Sequence, residues 1–248
     1  MHLEEFSQGD SLFHKIDPRI KIVVFLPLVF VVALLQSIVA GIISLLFAVL
    51  CIILARISLR PLLNRLIVVN IFIVFLWLTL PFSIEGKVLF SFAGLDFSRQ
   101  GLIYALAVTL KANAILFFTV SILGTSEIFS LAHALFHLKA PKKLVYLFFF
   151  FYRYISVLHR EYDKLLSAVK MRAFSPRTDF HTFKTYGYLV GMLFVNSYER
   201  SQRIYQALVL RGFRGDFPLL SHFQLRKKDL LFAIVMFSIT VSLLMIWK

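Results

Sequence analysis

The chain is 248 residues long and 59% hydrophobic, with a mean hydropathy of +0.82. A soluble domain is roughly 45–50% apolar, so the excess points to a chain folded in a bilayer. A net charge of +14 on such a chain points first to basic residues retained on the cytoplasmic side rather than to nucleic acid. The single cysteine, Cys51, excludes an internal disulfide and any CxxC redox or zinc centre, and its apolar surroundings read as those of a small hydrophobe.

In chain order, the first seventeen residues carry Glu4, Glu5, Asp10 and Asp17 with no early apolar core. They do not read as a removed signal peptide, so the first apolar run is expected to stay as a span. Residues 22–55 are almost wholly apolar, broken at Gln36-Ser37 and Gly41, and the run is too long for one crossing of about 20 residues. Lys15, Arg19 and Lys21 precede the run and Arg56, Arg60 and Arg65 follow it. Basic residues at both ends predict two crossings, with a turn near Gln36-Ser37. Residues 66–82 are expected as a third span ended by Pro81, and 83–100 as a mixed polar and aromatic loop of balanced charge on the outer face. A fourth span is expected over 102–123 and a fifth over 230–247.

Between the last two spans, residues 124–228 hold seventeen of the twenty-seven Lys and Arg and only six acids, which places this segment in the cytoplasm with the N-terminus. Three helices are expected there. The first covers 127–139, with Thr125 or Ser126 as N-cap. The second starts at Pro141 and runs to about Phe174, about 50 Å. Ile155, Leu158, Tyr162, Leu165 and Val169 form a narrow apolar seam on it, with Arg160, Glu161 and Lys164 off the stripe. Its first half, 144–151, is apolar all round and belongs at the membrane edge or against the spans. The third covers 183–210. The expected architecture is an all-α membrane protein of about five spans. It divides into an N-terminal segment with four spans (1–123), a cytoplasmic domain of about three helices (124–228) and a C-terminal span (229–248).

The two long cytoplasmic helices end alike. One reads Met171-Arg172-Ala173-Phe174 before Ser175-Pro176, and the other Leu210-Arg211-Gly212-Phe213 before Arg214-Gly215. One such end is ordinary termination, with a cation near the negative pole of the helix and a breaker after it. Two copies on two long helices point to two similar partners. A small residue lets a partner's backbone approach, and the guanidinium fork can pair with a carboxylate.

With these features the chain resembles the transmembrane (T) component of energy-coupling-factor (ECF) transporters, the CbiQ/EcfT family, and within it the cobalt/nickel branch. Residues 11–21, SLFHKIDPRIK, are similar to the family's N-terminal signature. Tyr152-Arg153-Tyr154-Ile155 with Glu161 downstream is similar to the cobalt/nickel branch, and the two arginine triplets are similar to the family's paired coupling motifs. The resemblance implies a scaffold in the plasma (inner) membrane. It would join a substrate-binding membrane subunit to two cytoplasmic ATPases, within cobalt or nickel uptake of the kind that feeds cobalamin biosynthesis. Met171-Arg172-Ala173 and Leu210-Arg211-Gly212 would each dock on one ATPase. ATP and magnesium would sit in those partners and cobalt or nickel in the substrate subunit, with no cofactor on this chain. The triplets depart from the family in beginning with Met and Leu where Ala is common. The chain has no GxxxxGK[ST], HExxH or GxSxG, so it is not expected to be an enzyme.

Lys111 lies mid-span with Asn113 nearby. Internal hydrogen bonding to Asn70, Asn113 or backbone carbonyls is the favoured reading, and contact with the substrate subunit the other. His133 and His137, spaced i, i+4, can in principle hold a metal, as can Met1-His2. No third ligand is near in sequence, so packing or surface histidines are favoured and no metal site is assigned. Arg226-Lys227-Lys228 read as an anchor to anionic lipid rather than to nucleic acid. The rivals are a T component for another substrate such as a vitamin, a self-sufficient secondary transporter, a membrane enzyme, for which the scattered cytoplasmic acids give no cluster, and a basic membrane adaptor for nucleic acid.

Overall fold

The computed structural model describes residues 6, 9–35, 37–84, 86–92, 95–138, 140–215 and 225–246. They form eight helices and one short hairpin: α1 (Pro18–Leu34), α2 (Ile38–Ala55), α3 (Leu59–Ser83), β1 (Val88–Phe92), β2 (Leu95–Ser98), α4 (Arg99–Phe118), α5 (Ile128–His137), α6 (Lys142–Met171), α7 (Phe180–Leu210) and α8 (Lys227–Met245). The protein is an all-α membrane protein. Among the described residues four helices are long and apolar enough to cross a bilayer: α2, α3, α8, and α4 with the π-helical turn Thr119–Leu123 that continues it. Five spans were expected, and α1 is the one short of that length. Its 17 residues rise about 25 Å against a hydrocarbon core of about 30 Å.

The boundaries show which local rules held. Asp17 caps α1 by accepting from the Arg19 N–H at 2.9 Å, with Pro18 in the first turn. α1 stops at Leu34 and α2 starts at Ile38, as the expected turn requires; of that turn, Gln36 lies outside the described residues, as do Met1-His2, Lys139 and Trp247. Pro81 does not end the third span. It lies inside α3, which continues to Ser83 and closes with Ile84 N–H on the Leu80 carbonyl at 3.2 Å. The helix also starts earlier than expected, because Pro61 falls in its first turn, where no backbone N–H bond is lost. The expected loop 83–100 contains the antiparallel hairpin β1–β2.

The chain divides into two compact units. One holds the described residues up to Ala140 together with those from Leu225 on, and the other runs from Pro141 to Gly215. α5 belongs to the larger unit, where it packs on α1. Within the larger unit α4 packs against α2, α3 and α1, and α1 also lies along α8. Small buried residues sit at these interfaces, among them Ala48 and Ala55 on α2 and Ala105 and Ala114 on α4. Lipid is as apolar as leucine, so helices in it are held by close packing rather than by escape from water. Gly101 shows how close: a Cβ there would fall 2.6 Å from both the Leu80 carbonyl oxygen and the Pro81 Cα. Outward residues such as Val68, Phe72 and Phe75 on α3 stay exposed, as a lipid-facing surface does.

In the smaller unit, α6 and α7 have 30 and 31 residues, about 45 Å each. No residue of α6 is buried, and in α7 only Thr182 and Leu189 are. Ile155, Leu158, Tyr162, Leu165 and Val169 are all half-buried while Arg160 and Lys164 are exposed, which reproduces the expected seam. Glu161 differs from expectation. It lies half-buried with them, accepting from Asn196 Nδ2 at 3.0 Å and facing Arg200 at 3.7 Å. Two helices with so little core leave a large apolar surface, including Leu147, Phe151, Phe194 and Tyr198, of the kind that marks an interaction site.

Candidate functional site

α6 and α7 end in the same backbone motif. Arg172 is the last, half-helical residue of α6; Ala173 then turns to φ +62°. The Phe174 N–H bonds the Val169 carbonyl at 3.4 Å and the Ala173 N–H the Lys170 carbonyl at 3.1 Å. In α7 the same positions are Arg211 and Gly212, the latter at φ +81°. There the Phe213 N–H bonds the Leu208 carbonyl at 3.0 Å and the Gly212 N–H the Val209 carbonyl at 2.9 Å. These paired 6→1 and 5→2 bonds define the Schellman motif, which satisfies the last carbonyls of a helix through a left-handed residue. Gly212 therefore has a backbone reason as well as the expected steric one, since a Cβ is disfavoured at positive φ, whereas Ala173 bears that cost.

Each motif leaves the residue before the arginine standing out. Met171 is 82% exposed and Leu210 88%. Both arginines are exposed, and neither guanidinium has a hydrogen-bond or ion-pair partner among the described residues. The result is two tips of one design, each an apolar knob beside a free planar fork. Phe174 folds back, its ring centroid 5.9 Å from Tyr186 and 6.3 Å from His181, which pins the α6 tip to the start of α7. Asp179 caps α7 by accepting from the Thr182 N–H at 2.9 Å. Its bond to Thr182 holds the carboxyl below the usual range, so the cap is fully formed at neutral pH and is lost as pH falls through that lowered value.

At the left-handed position the two tips differ by one Cβ, and that gives a test. Gly212→Ala places a Cβ at positive φ with nothing within 4 Å of it, so the penalty is conformational alone, about 1 kcal/mol. Ala173→Gly removes the same penalty from α6. Amide exchange in the last turn of α7 is expected to speed up about fivefold in the first variant and that of α6 to slow comparably in the second. Equal rates in wild type and variants would contradict the left-handed assignment.

Lys111 and Asn113 sit apart from the tips, in the larger unit. Lys111 Nζ donates to the Ala33 carbonyl at 3.4 Å, one of the last carbonyls of α1 and so without a partner inside that helix. Asn113 and Asn70 exchange amide bonds at 3.1 and 3.3 Å between α4 and α3, and Asn113 also donates to the Thr109 carbonyl. Both residues thus have hydrogen bonds within the larger unit.

Another cluster was not anticipated. Lys21, read from sequence as a flanking charge, is fully buried. Its Nζ donates to Thr125 Oγ1 at 3.1 Å and Ser126 Oγ at 2.5 Å. That explains why neither of these residues caps α5, whose N-cap is Glu127 with no side-chain bond. Beside it the buried Asp229 carboxylate accepts the Asp17 N–H at 3.0 Å and the Arg226 N–H at 2.8 Å, joining the heads of α1 and α8. The only sequence signal for this was an Asp placed three residues after the helix start at Arg226, a position that favours an acid.

A family model described as CbiQ, cobalt transport protein, matches residues 9–222. The chain belongs to this family. The CbiQ match takes in the N-terminal segment with Lys21, the Glu161 crossing and both helix tips, and leaves α8 beyond it. Similar proteins include an uncharacterized protein of Methanocaldococcus jannaschii, 26% identical over 98% of this chain and 85% of that one. The energy-coupling factor transporter transmembrane protein EcfT of Ruminiclostridium cellulolyticum is 24% identical over 86% of this chain and 83% of its own length. EcfT of Streptococcus equi subsp. equi is 23% identical over 86% and 83%. Together these make the chain a T component, an integral membrane component of ECF-type transporters.

Proposed function

We propose that this chain is the coupling subunit of an ATP-driven uptake transporter for cobalt or nickel. Two cytoplasmic ATPases grip the tips Met171-Arg172-Ala173 and Leu210-Arg211-Gly212, and a substrate-binding membrane subunit responds to the movement of α6 and α7. The N-terminus and the α6–α7 unit face the cytoplasm, in keeping with the seventeen basic residues between 124 and 228. The observation that carries the reading is the pair of equivalent Schellman ends, each presenting, next to an exposed apolar side chain, a guanidinium with no hydrogen-bond or ion-pair partner among the described residues. Such a tip suits a groove with an apolar floor and a carboxylate. The cobalt reading is supported by the cobalt transport family to which the chain belongs, and the coupling reading by the likeness to energy-coupling factor transporter proteins. ATP hydrolysis then belongs to the partners, and this chain contributes geometry and transmission.

The test is reconstitution. The complex purified from native membranes through this chain should contain ATPase and membrane partners, and in proteoliposomes it should accumulate cobalt or nickel only with ATP. Accumulation by the chain alone without ATP would replace the proposal with a secondary transporter. ATP-dependent uptake of a vitamin and no metal would keep the coupling role and change the substrate.

A further inference from the structure

We infer that His133 and His137 form a two-ligand site for a first-row divalent transition ion on α5. This goes beyond the coupling role and does not depend on it. The two residues lie i, i+4 on a ten-residue helix, and their Nε2 atoms stand 3.1 Å apart, with ring centroids 4.9 Å apart and planes inclined at 38°. An ion bound by imidazole at about 2.0–2.1 Å with adjacent ligands at 90–100° needs nitrogens roughly 3 Å apart. The rings thus already stand at the bite of a chelate. Loading requires both rings to be neutral with the proton on Nδ1, so the ring whose Nε2 donates to the other changes tautomer, with no net proton lost.

The backbone carrying the pair is held in place. Ala132 and Ala134, on either side of His133, are buried, and α5 packs on α1. The turn before α5 is tied to α1 by the Lys21 bonds to Thr125 and Ser126. His137 is exposed and His133 half-buried, so an ion between them keeps positions open to water. No group of three or more His, Cys, Asp or Glu is gathered among the described residues. Two protein ligands with water completing the shell give reversible loading rather than a closed structural site. Imidazole pairs favour copper, nickel, cobalt and zinc over magnesium and calcium, with copper above nickel above cobalt.

Other histidines serve as controls. His14 is engaged on both ring nitrogens, by Ser11 Oγ at 2.6 Å and the Phe6 carbonyl at 2.9 Å. His159 faces Asp163 at 3.6 Å in an i, i+4 arrangement on α6. The full chain, purified in detergent without a polyhistidine tag, is titrated with nickel chloride, with magnesium chloride as the negative arm, while amide exchange of α5 is followed. Nickel should slow exchange in α5, since an ion bound only by the helical form stabilises it, and magnesium should not. His137→Gln should weaken binding at least about tenfold and remove the α5 protection while the far-ultraviolet helical signal stays unchanged, whereas His159→Gln and His2→Gln should leave both binding and protection intact. Unchanged nickel affinity in His137→Gln, or nickel binding with no slowing in α5, would overturn the assignment.

Discussion

Reversing both tip charges, Arg172→Glu with Arg211→Glu, is expected to abolish recovery of the ATPase subunits with this chain while leaving its level in the membrane unchanged. The side chains are exposed and make no hydrogen bond or ion pair among the described residues, so the fold has little to lose. A glutamate at each helix end opposes the local dipole by only about 0.3–1 kcal/mol. The Schellman bonds that close both helices are made by the backbone and survive. At the proposed interface the balance is different. Removing one member of a desolvated charge pair costs about 2–5 kcal/mol, reversal adds repulsion, and both tips are hit together, so affinity falls by several orders of magnitude. Arg172→Lys with Arg211→Lys keeps the charge but loses the two-pronged geometry and should give partial recovery. Full recovery of the complex from the double glutamate variant would remove the tips from the docking mechanism.

Asp229→Ala is expected to lower the stability of the larger unit by about 3 kcal/mol. Its carboxylate is buried and accepts two backbone N–H groups, from Asp17 and Arg226. Hydrogen bonds to a charged acceptor contribute about 1.5–3 kcal/mol each, and the Asp17 N–H, itself in a buried residue, would be left without a partner. The damage would reach α1, because Asp17 is both the donor to Asp229 and the cap of that helix. Thermal unfolding in detergent should show a clear drop in Tm for Asp229→Ala and about half of it for Asp229→Asn, which keeps one acceptor oxygen. An unchanged Tm in the alanine variant would mean that the carboxylate does not join α1 and α8.

Much of the site was legible because helix endings are local. The pattern of an apolar residue, arginine, a small residue and phenylalanine encodes bonds that span only three to five residues, such as Phe213 to Leu208. Arg172 and Arg211 could therefore be picked from sequence, and the matching endings confirm that the two stretches share one backbone motif. The seam on α6 was readable for the same reason: a spacing of three and four residues places side chains on one face whatever the helix meets. Pro81 shows where local reasoning stops. A proline weakens a helix, but packing of α3 against α4 and the hairpin carries the helix past it.

Composition, run lengths and charge placement by themselves determined that this is a helical membrane chain with two long basic helices and twinned tips, since burial in lipid and helix termination act over at most about twenty residues. Only the tertiary structure decided that Lys21 bonds Thr125 and Ser126, 104 and 105 residues away, and that Asp17 meets Asp229, 212 residues away. It also decided that Glu161 turns inward to Asn196. A buried polar group must find a partner, but the chain does not write down which one: that depends on which helices pack side by side.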